Sequence, residues 1–138
     1  MFVQRDVPMS KPVILVVDDE VDLLGINVTA IERALPAYDV IGSRSVEEAE
    51  AVVSDLDSAS VPLALAVVDH VLGGSTGLHL LETLRLRYPD VPVIMCTGRA
   101  SADVEERARA VGARVLWKPV RLAKFLDEVT AMVGGQAF

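Results

Sequence analysis

Five short aliphatic runs punctuate the chain, and between them apolar residues recur with the spacing of a helix face. The runs are Pro12–Val17 (PVILVV), Tyr38–Gly42 (YDVIG), Leu63–Val68 (LALAVV), Val91–Cys96 (VPVIMC) and Ala113–Trp117 (ARVLW). The first, third and fourth are apolar throughout, the pattern of strands covered on both faces in a parallel sheet. YDVIG is shorter and half polar, which suits an edge. Leu24, Val28, Ile31 and Leu35 form the first helical stripe, Val46, Ala49, Val53 and Leu56 the second, and Leu78, Leu81, Leu84 and Tyr88 the third. Val104, Ala108 and Val111 make a weaker fourth; Leu122, Phe125, Leu126, Val129 and Val133 make a fifth. Ser45, with Glu48 three residues on, reads as a capping box, Ser101 as an N-cap, and Gly112 as a helix stop. Strand–helix alternation with crossovers this long predicts a right-handed, doubly wound α/β domain with a five-stranded parallel sheet and five helices.

The 138 residues match one domain on a scale of about 100–200 residues each. We expect a domain over 11–134, a loosely ordered extension over 1–10 and a short tail over 135–138. Hydrophobic residues make up 51% of the chain and aromatics only 4%, so the core must be aliphatic. The single cysteine, Cys96, excludes a disulfide scaffold and a Cys-based zinc site. No apolar run reaches the roughly 18 residues of a membrane span, and residues 1–10 lack the apolar centre of a signal peptide. A cytoplasmic protein that engages no membrane is the expectation. Thirteen basic against twenty acidic residues give a net charge of −7, which argues against nucleic acid as a partner. The charge is uneven: residues 1–98 carry six basic and fifteen acidic residues, whereas residues 99–138 carry seven and five. The last third therefore carries a milder, mixed-sign surface, which reads first as a solvated face and second as one that could meet a partner.

In an open parallel sheet, ligands bind beyond the carboxyl ends of the strands, near the point where strand order reverses. Asp18-Asp19-Glu20 follows the first run, Asp69-His70 the third, Thr97-Gly98 the fourth and Lys118-Pro119 the fifth. The second run ends in Gly42-Ser43-Arg44, with nothing reactive. Carboxylates crowded at 18, 19 and 69 repel unless a hard cation sits among them, and carboxylate oxygens suit Mg2+. A lysine and a hydroxyl on the same rim can bind an anion carried on one carboxylate. Metal, carboxylate, ammonium and hydroxyl are the parts that phosphoryl transfer needs.

ILVVDDE, then Asp69 with Leu72 and Gly77 downstream, then VIMCTG, then KPV resemble the receiver domain of two-component response regulators. The likeness covers roughly residues 12–134. It implies a flavodoxin-like sheet order 2-1-3-4-5 and a cis Lys118–Pro119 bond. It implies Asp69 as the phosphoryl acceptor, supplied by a phosphohistidine on a histidine kinase or histidine phosphotransfer protein. Asp19, Asp69 and the Val71 backbone carbonyl would ligate Mg2+ directly, and Asp18 through water. Thr97 would move to hydrogen-bond the phosphoryl group and Lys118 would pair with it. A phosphoacceptor regulatory domain of this kind assists its own phosphorylation and dephosphorylation, and signals by docking a downstream protein through its C-terminal third.

Three departures stand out. Gly73 replaces the usual proline four residues after the acceptor, Val115 replaces the usual aromatic switch residue, and the loop to Lys118 is one residue short. Val71 and Arg99, which would flank the path of a hydrolytic water, predict a long-lived phosphoryl group. The competing readings are a degenerate receiver serving as a constitutive interaction module and a Mg2+-dependent phosphatase with an aspartyl nucleophile. The intact Asp18, Asp19, Asp69, Thr97 and Lys118 set opposes the first. Adjacency of the acids, in place of a D-x-D pattern, opposes the second. Gly73-Gly74-x-x-Gly77 lacks the dinucleotide pattern and reads as a turn. His70 reads as a solvent-facing loop residue, His79 as helix surface, Cys96 as an inert core thiol and Trp117 as packing. Asn27-Val28-Thr29 is a glycosylation sequon by letter only. A start at Met1 and an end in GGQAF fit a free-standing regulator, although an excised receiver of a hybrid kinase would look similar.

Overall fold

The computed structural model describes residues 11–72, 75–99 and 101–134. β1 (Val13–Val17), α1 (Val21–Ala34), β2 (Asp39–Ser43), α2 (Val46–Ala59) and β3 (Leu63–Asp69) alternate as the apolar pattern requires. A two-rung antiparallel hairpin follows, β4 (Val71–Leu72) with β5 (Ser75–Thr76). Then come α3 (Gly77–Arg87), β6 (Val93–Thr97), α4 (Ala102–Ala110), β7 (Arg114–Trp117) and α5 (Leu122–Gly134). The main sheet runs β2-β1-β3-β6-β7 with every neighbouring pair parallel, which is the expected order 2-1-3-4-5 once the hairpin is set aside. The hairpin has no counterpart in the sequence reading, because two-residue strands are too short to leave a period. Residues 1–10 and 135–138, expected to be loosely held, and Gly73 and Gly74, expected to form a turn, lie outside the described residues.

Both faces of the sheet are buried, so alternate residues of one strand enter different cores. Val13, Leu15 and Val17 of β1 pack with α2, α3 and α4 through Val53, Leu81 and Ala108. Ile14 and Val16 pack with α1 and α5 through Ile31, Phe125 and Val129. β2, the half-polar run, is an edge strand. Among the described residues no helix is long and apolar enough to cross a membrane.

Local chemistry sets the helix limits. Ser45 Oγ accepts the Glu48 N–H at 3.0 Å, but Glu48 Oε1 accepts from Arg44 N, one residue outside the reciprocal box. Ser101 Oγ caps α4 through the Val104 N–H, and Thr76 Oγ1 caps α3 through the His79 N–H. Gly112, at φ +79°, stops α4 in a conformation that side chains disfavour. Arg85 reaches across from α3: Nε donates to the Val111 carbonyl at 2.7 Å, and Nη1 donates to the carbonyls of Tyr88 and Pro89. One guanidinium thus holds the C-terminal ends of α3 and α4 together.

The first residue of α3 is pressed against the strand end that carries Asp69. A Cβ on Gly77 would lie 2.0 Å from the Asp69 carbonyl oxygen and 2.7 Å from Val68 Cγ1, and the Gly77 N–H donates to the His70 carbonyl at 2.7 Å. Gly25, in mid-α1, has nothing within 4 Å of its would-be Cβ. In urea unfolding, Gly77→Ala should lose about 1–3 kcal/mol or more through overpacking against backbone. Gly25→Ala should gain about 0.5–1 kcal/mol from helix propensity. Similar effects at both positions would contradict the close approach.

Candidate functional site

Four strands deliver polar groups to one rim. β1 and β3 are sheet neighbours whose helices lie on opposite faces, and their C-terminal ends border the crevice where strand order reverses. The Asp18 N–H extends the sheet onto the Ser43 carbonyl at 3.0 Å, and its side chain turns inward, 5% exposed. Asp18 Oδ1 accepts the Glu20 N–H at 2.9 Å. Asp69 ends β3 half-buried, and Asp19 is exposed. One ligand oxygen from each of Asp18, Asp19 and Asp69 falls within 4.8 Å of the others. Burial raises the Asp18 carboxyl above its ordinary value of 3.8; the Glu20 N–H opposes this, the Asp69 charge adds to it, and Lys118 offsets part.

Lys118 follows β7. Its N–H donates to the Thr97 carbonyl at 2.8 Å, and a cis bond to Pro119 follows, as expected. Nζ lies 3.2 Å from Asp69 Oδ2. Burial works to lower the ammonium's pKa, but the Asp69 carboxylate outweighs it, assisted by Asp18, and the group ends above its ordinary value. Lys118 is therefore a firm cation at neutral pH.

Thr97 ends β6 with its side chain 1% exposed. Its Oγ1 accepts the Arg99 N–H at 3.0 Å and donates to the Arg99 carbonyl at 2.8 Å. That carbonyl also accepts from His70 Nδ1 at 2.9 Å, and Nδ1 lies 3.4 Å from Thr97 Oγ1. His70 was expected to face solvent; it is instead half-buried and tied to the neighbouring strand's loop. Lone histidines give no such signal in sequence, because the contact spans 29 positions.

A cleft of about 440 Å3 runs from the acids between α1 and α5, lined by Leu23, Ile26, Asn27, Val120, Leu122 and Phe125 among others. Ile26 is apolar, 54% exposed and off the buried stripe of α1, a mismatch legible in the sequence. Cys96 lines the cleft too, and burial pushes its thiol up to about 12, which keeps it protonated and inert. Trp117 departs from its expected packing role: it is 45% exposed on β7. Val115 is buried against the α2–α4 face, Val71 is exposed, and His79 is on the helix surface as expected.

The geometry has a definite chemical capacity. Three converging carboxylates can hold a hard divalent cation, and the Asp69 carboxylate stands beside a fixed ammonium that can neutralise charge placed on it.

Comparison with known proteins agrees. Residues 14–130 match the response regulator receiver domain family. The chain is similar to the response regulator protein PilR of Pseudomonas aeruginosa, 32% identical over 122 residues that cover 88% of this chain and 26% of that protein. It is 30% identical over 129 residues to the transcriptional regulatory protein PrrA of Mycobacterium leprae, covering 93% of this chain and 52% of the relative. The chain thus spans about a quarter to a half of the length of these curated relatives. Among solved structures it resembles a CheY-like response regulator receiver domain protein from Methanospirillum hungatei, with a TM-score of 0.81 and 26% identity over 92% of this chain and 97% of that one. With its sheet order, its rim of strand-end acids and this match in agreement, the chain belongs to the response regulator receiver domains, the phosphoacceptor modules of two-component signalling.

Proposed function

We propose that Asp69 accepts a phosphoryl group from a phosphohistidine on a histidine kinase or histidine phosphotransfer protein, and that this switches docking of a downstream protein. One observation carries the reading: Asp69 lies within ion-pair distance of Lys118 on one side and within 4.8 Å of Asp18 and Asp19 on the other. An Asp69 carboxylate oxygen attacks phosphorus, an O–P bond forms, and the donor's N–P bond breaks with its electron pair returning to the imidazole. Lys118 neutralises charge on the transferring oxygens, and Thr97 then donates its hydroxyl hydrogen to one of them.

The donor set fits Mg2+: all-oxygen ligands, three carboxylates, and a buried Asp18 whose charge is disfavoured without a counter-ion. Asp19, Asp69 and the Val71 carbonyl would hold it directly, with Asp18 behind a water. When bound, Mg2+ supplies charge neutralisation for the acids and for the phosphoryl oxygens. Val71 presents no group that could orient a hydrolytic water, so the phosphoryl group should be slow to leave.

The surface that reads the state is α4, β7 and α5. Thr97 and Lys118 begin the connections into it, and the backbone bond between them couples the two strand ends. The exposed Trp117 gives this face an apolar anchor of the kind protein interfaces use.

Treated with a small phosphodonor, the protein should gain one phosphoryl group on Asp69, only with Mg2+ present. Intact mass and site mapping check this, and undiminished labelling of Asp69→Ala would refute the assignment.

Stability without metal should fall as pH rises through the Asp18 titration. Its folded pKa is raised, so the native state holds the proton more tightly than the unfolded chain between the two values, and that stabilisation is lost above the folded one. Asp18→Asn keeps the acceptor for the Glu20 N–H and removes the charge. It should therefore melt higher than wild type at neutral pH without Mg2+, with the difference vanishing toward pH 3.8. Added Mg2+ should stabilise wild type by mass action and the variant less. A lower melting point for metal-free Asp18→Asn would be inconsistent with crowded carboxylates.

Amide exchange compared with and without beryllofluoride should change in residues 101–130. Changes confined to residues 20–60 would move the readout surface elsewhere.

A further inference from the structure

The donor hydrogen of the Thr97 hydroxyl is already committed in the unphosphorylated chain. It has one hydrogen, and that hydrogen goes to the Arg99 carbonyl, while its oxygen accepts the Arg99 N–H. Donation to a phosphoryl oxygen therefore requires the bond to Arg99 to break. The same carbonyl takes a second bond from His70 Nδ1 at 2.9 Å. A carbonyl only accepts, so Nδ1 carries a hydrogen in this contact. The imidazole thus completes a triangle with the hydroxyl and the carbonyl, at 2.8, 2.9 and 3.4 Å.

The far side of the contact is rigid. The His70 N–H donates to the Cys96 carbonyl at 2.9 Å, and the His70 carbonyl accepts the Gly77 N–H at 2.7 Å. Its backbone is held by β6 on one side and by the start of α3 on the other. Gly98 and Arg99, by contrast, are exposed. A fixed donor thus grips a segment that would otherwise be held mainly by Thr97 itself.

We propose that His70 is a positioning residue: it latches the Thr97–Arg99 segment to the end of β3 and so keeps the Thr97 hydroxyl on Arg99 until Asp69 is phosphorylated. This rests on the reading of Asp69 as acceptor and Thr97 as the group that answers it. The latch stabilises the unphosphorylated arrangement, so it opposes the switched one by about the worth of a single hydrogen bond, roughly two- to tenfold in an equilibrium constant.

The test compares wild type with His70→Leu, which keeps bulk but offers no donor, and His70→Asn, whose amide N–H stands close to the position of Nδ1. In metal-free protein, amide exchange at Gly98 and Arg99 should quicken about two- to tenfold in His70→Leu and return to the wild-type rate in His70→Asn. With Mg2+, beryllofluoride should bind His70→Leu more tightly by a similar factor, and His70→Asn like wild type. Unchanged exchange in His70→Leu would overturn the latch without touching the acceptor reading, as would an Asn variant indistinguishable from Leu. Equal or weaker beryllofluoride binding by His70→Leu would overturn the link to switching. Failure of beryllofluoride to bind wild type would overturn the acceptor reading and the proposal together.

Discussion

Mutual repulsion among Asp18, Asp19 and Asp69 is the constraint to which the rest of the molecule answers. Two unit charges about 4 Å apart repel by about 1 kcal/mol in bulk water and by more at a partly buried rim. The three side chains would separate if their backbones could. They cannot, because two belong to the ends of β1 and β3, adjacent strands whose flanking residues are buried on both faces. The two aliphatic cores are thus what hold a strained electrostatic arrangement in place. Among the described residues, Lys118 brings a positive charge to it, by its contact with Asp69, and the Glu20 N–H supports Asp18.

Much of this was legible in the sequence because the signals were periodic or terminal. Runs such as ILVV and LALAVV announce strands buried on both faces, and the residues just beyond them are on the rim whatever the helices do. That is why Asp18, Asp69, Thr97 and Lys118 could be assembled from spacing alone. Ser101 and Gly112 marked the ends of α4 for reasons that are local to a few residues.

What stayed hidden depends on contacts between distant residues. His70 has no neighbour in sequence that hints at Arg99, and the direction of its ring follows from the separation of β3 and β6. Trp117 closes a largely apolar run, yet it is 45% exposed at the end of β7, where the strand leaves the core for the rim. The exposed Ile26 was readable as an apolar position off the α1 stripe, but the cleft it borders exists only once α5 is laid beside α1. Val115 in place of an aromatic could be seen in the sequence. Its consequence could not: the interactions around Thr97 run through backbone and imidazole on the Asp69 side.

The Arg85 guanidinium has a mechanical meaning. By gripping the Val111 carbonyl together with those of Tyr88 and Pro89, it makes the far end of α4 a fulcrum. The near end begins at the Ser101 cap, with Val104 only partly buried against the core. A rod fastened at one end turns; it does not slide. Any displacement of the Thr97 loop would therefore be largest over the first turn of α4 and die away toward Gly112, so a small movement at the rim would be delivered as a tilt.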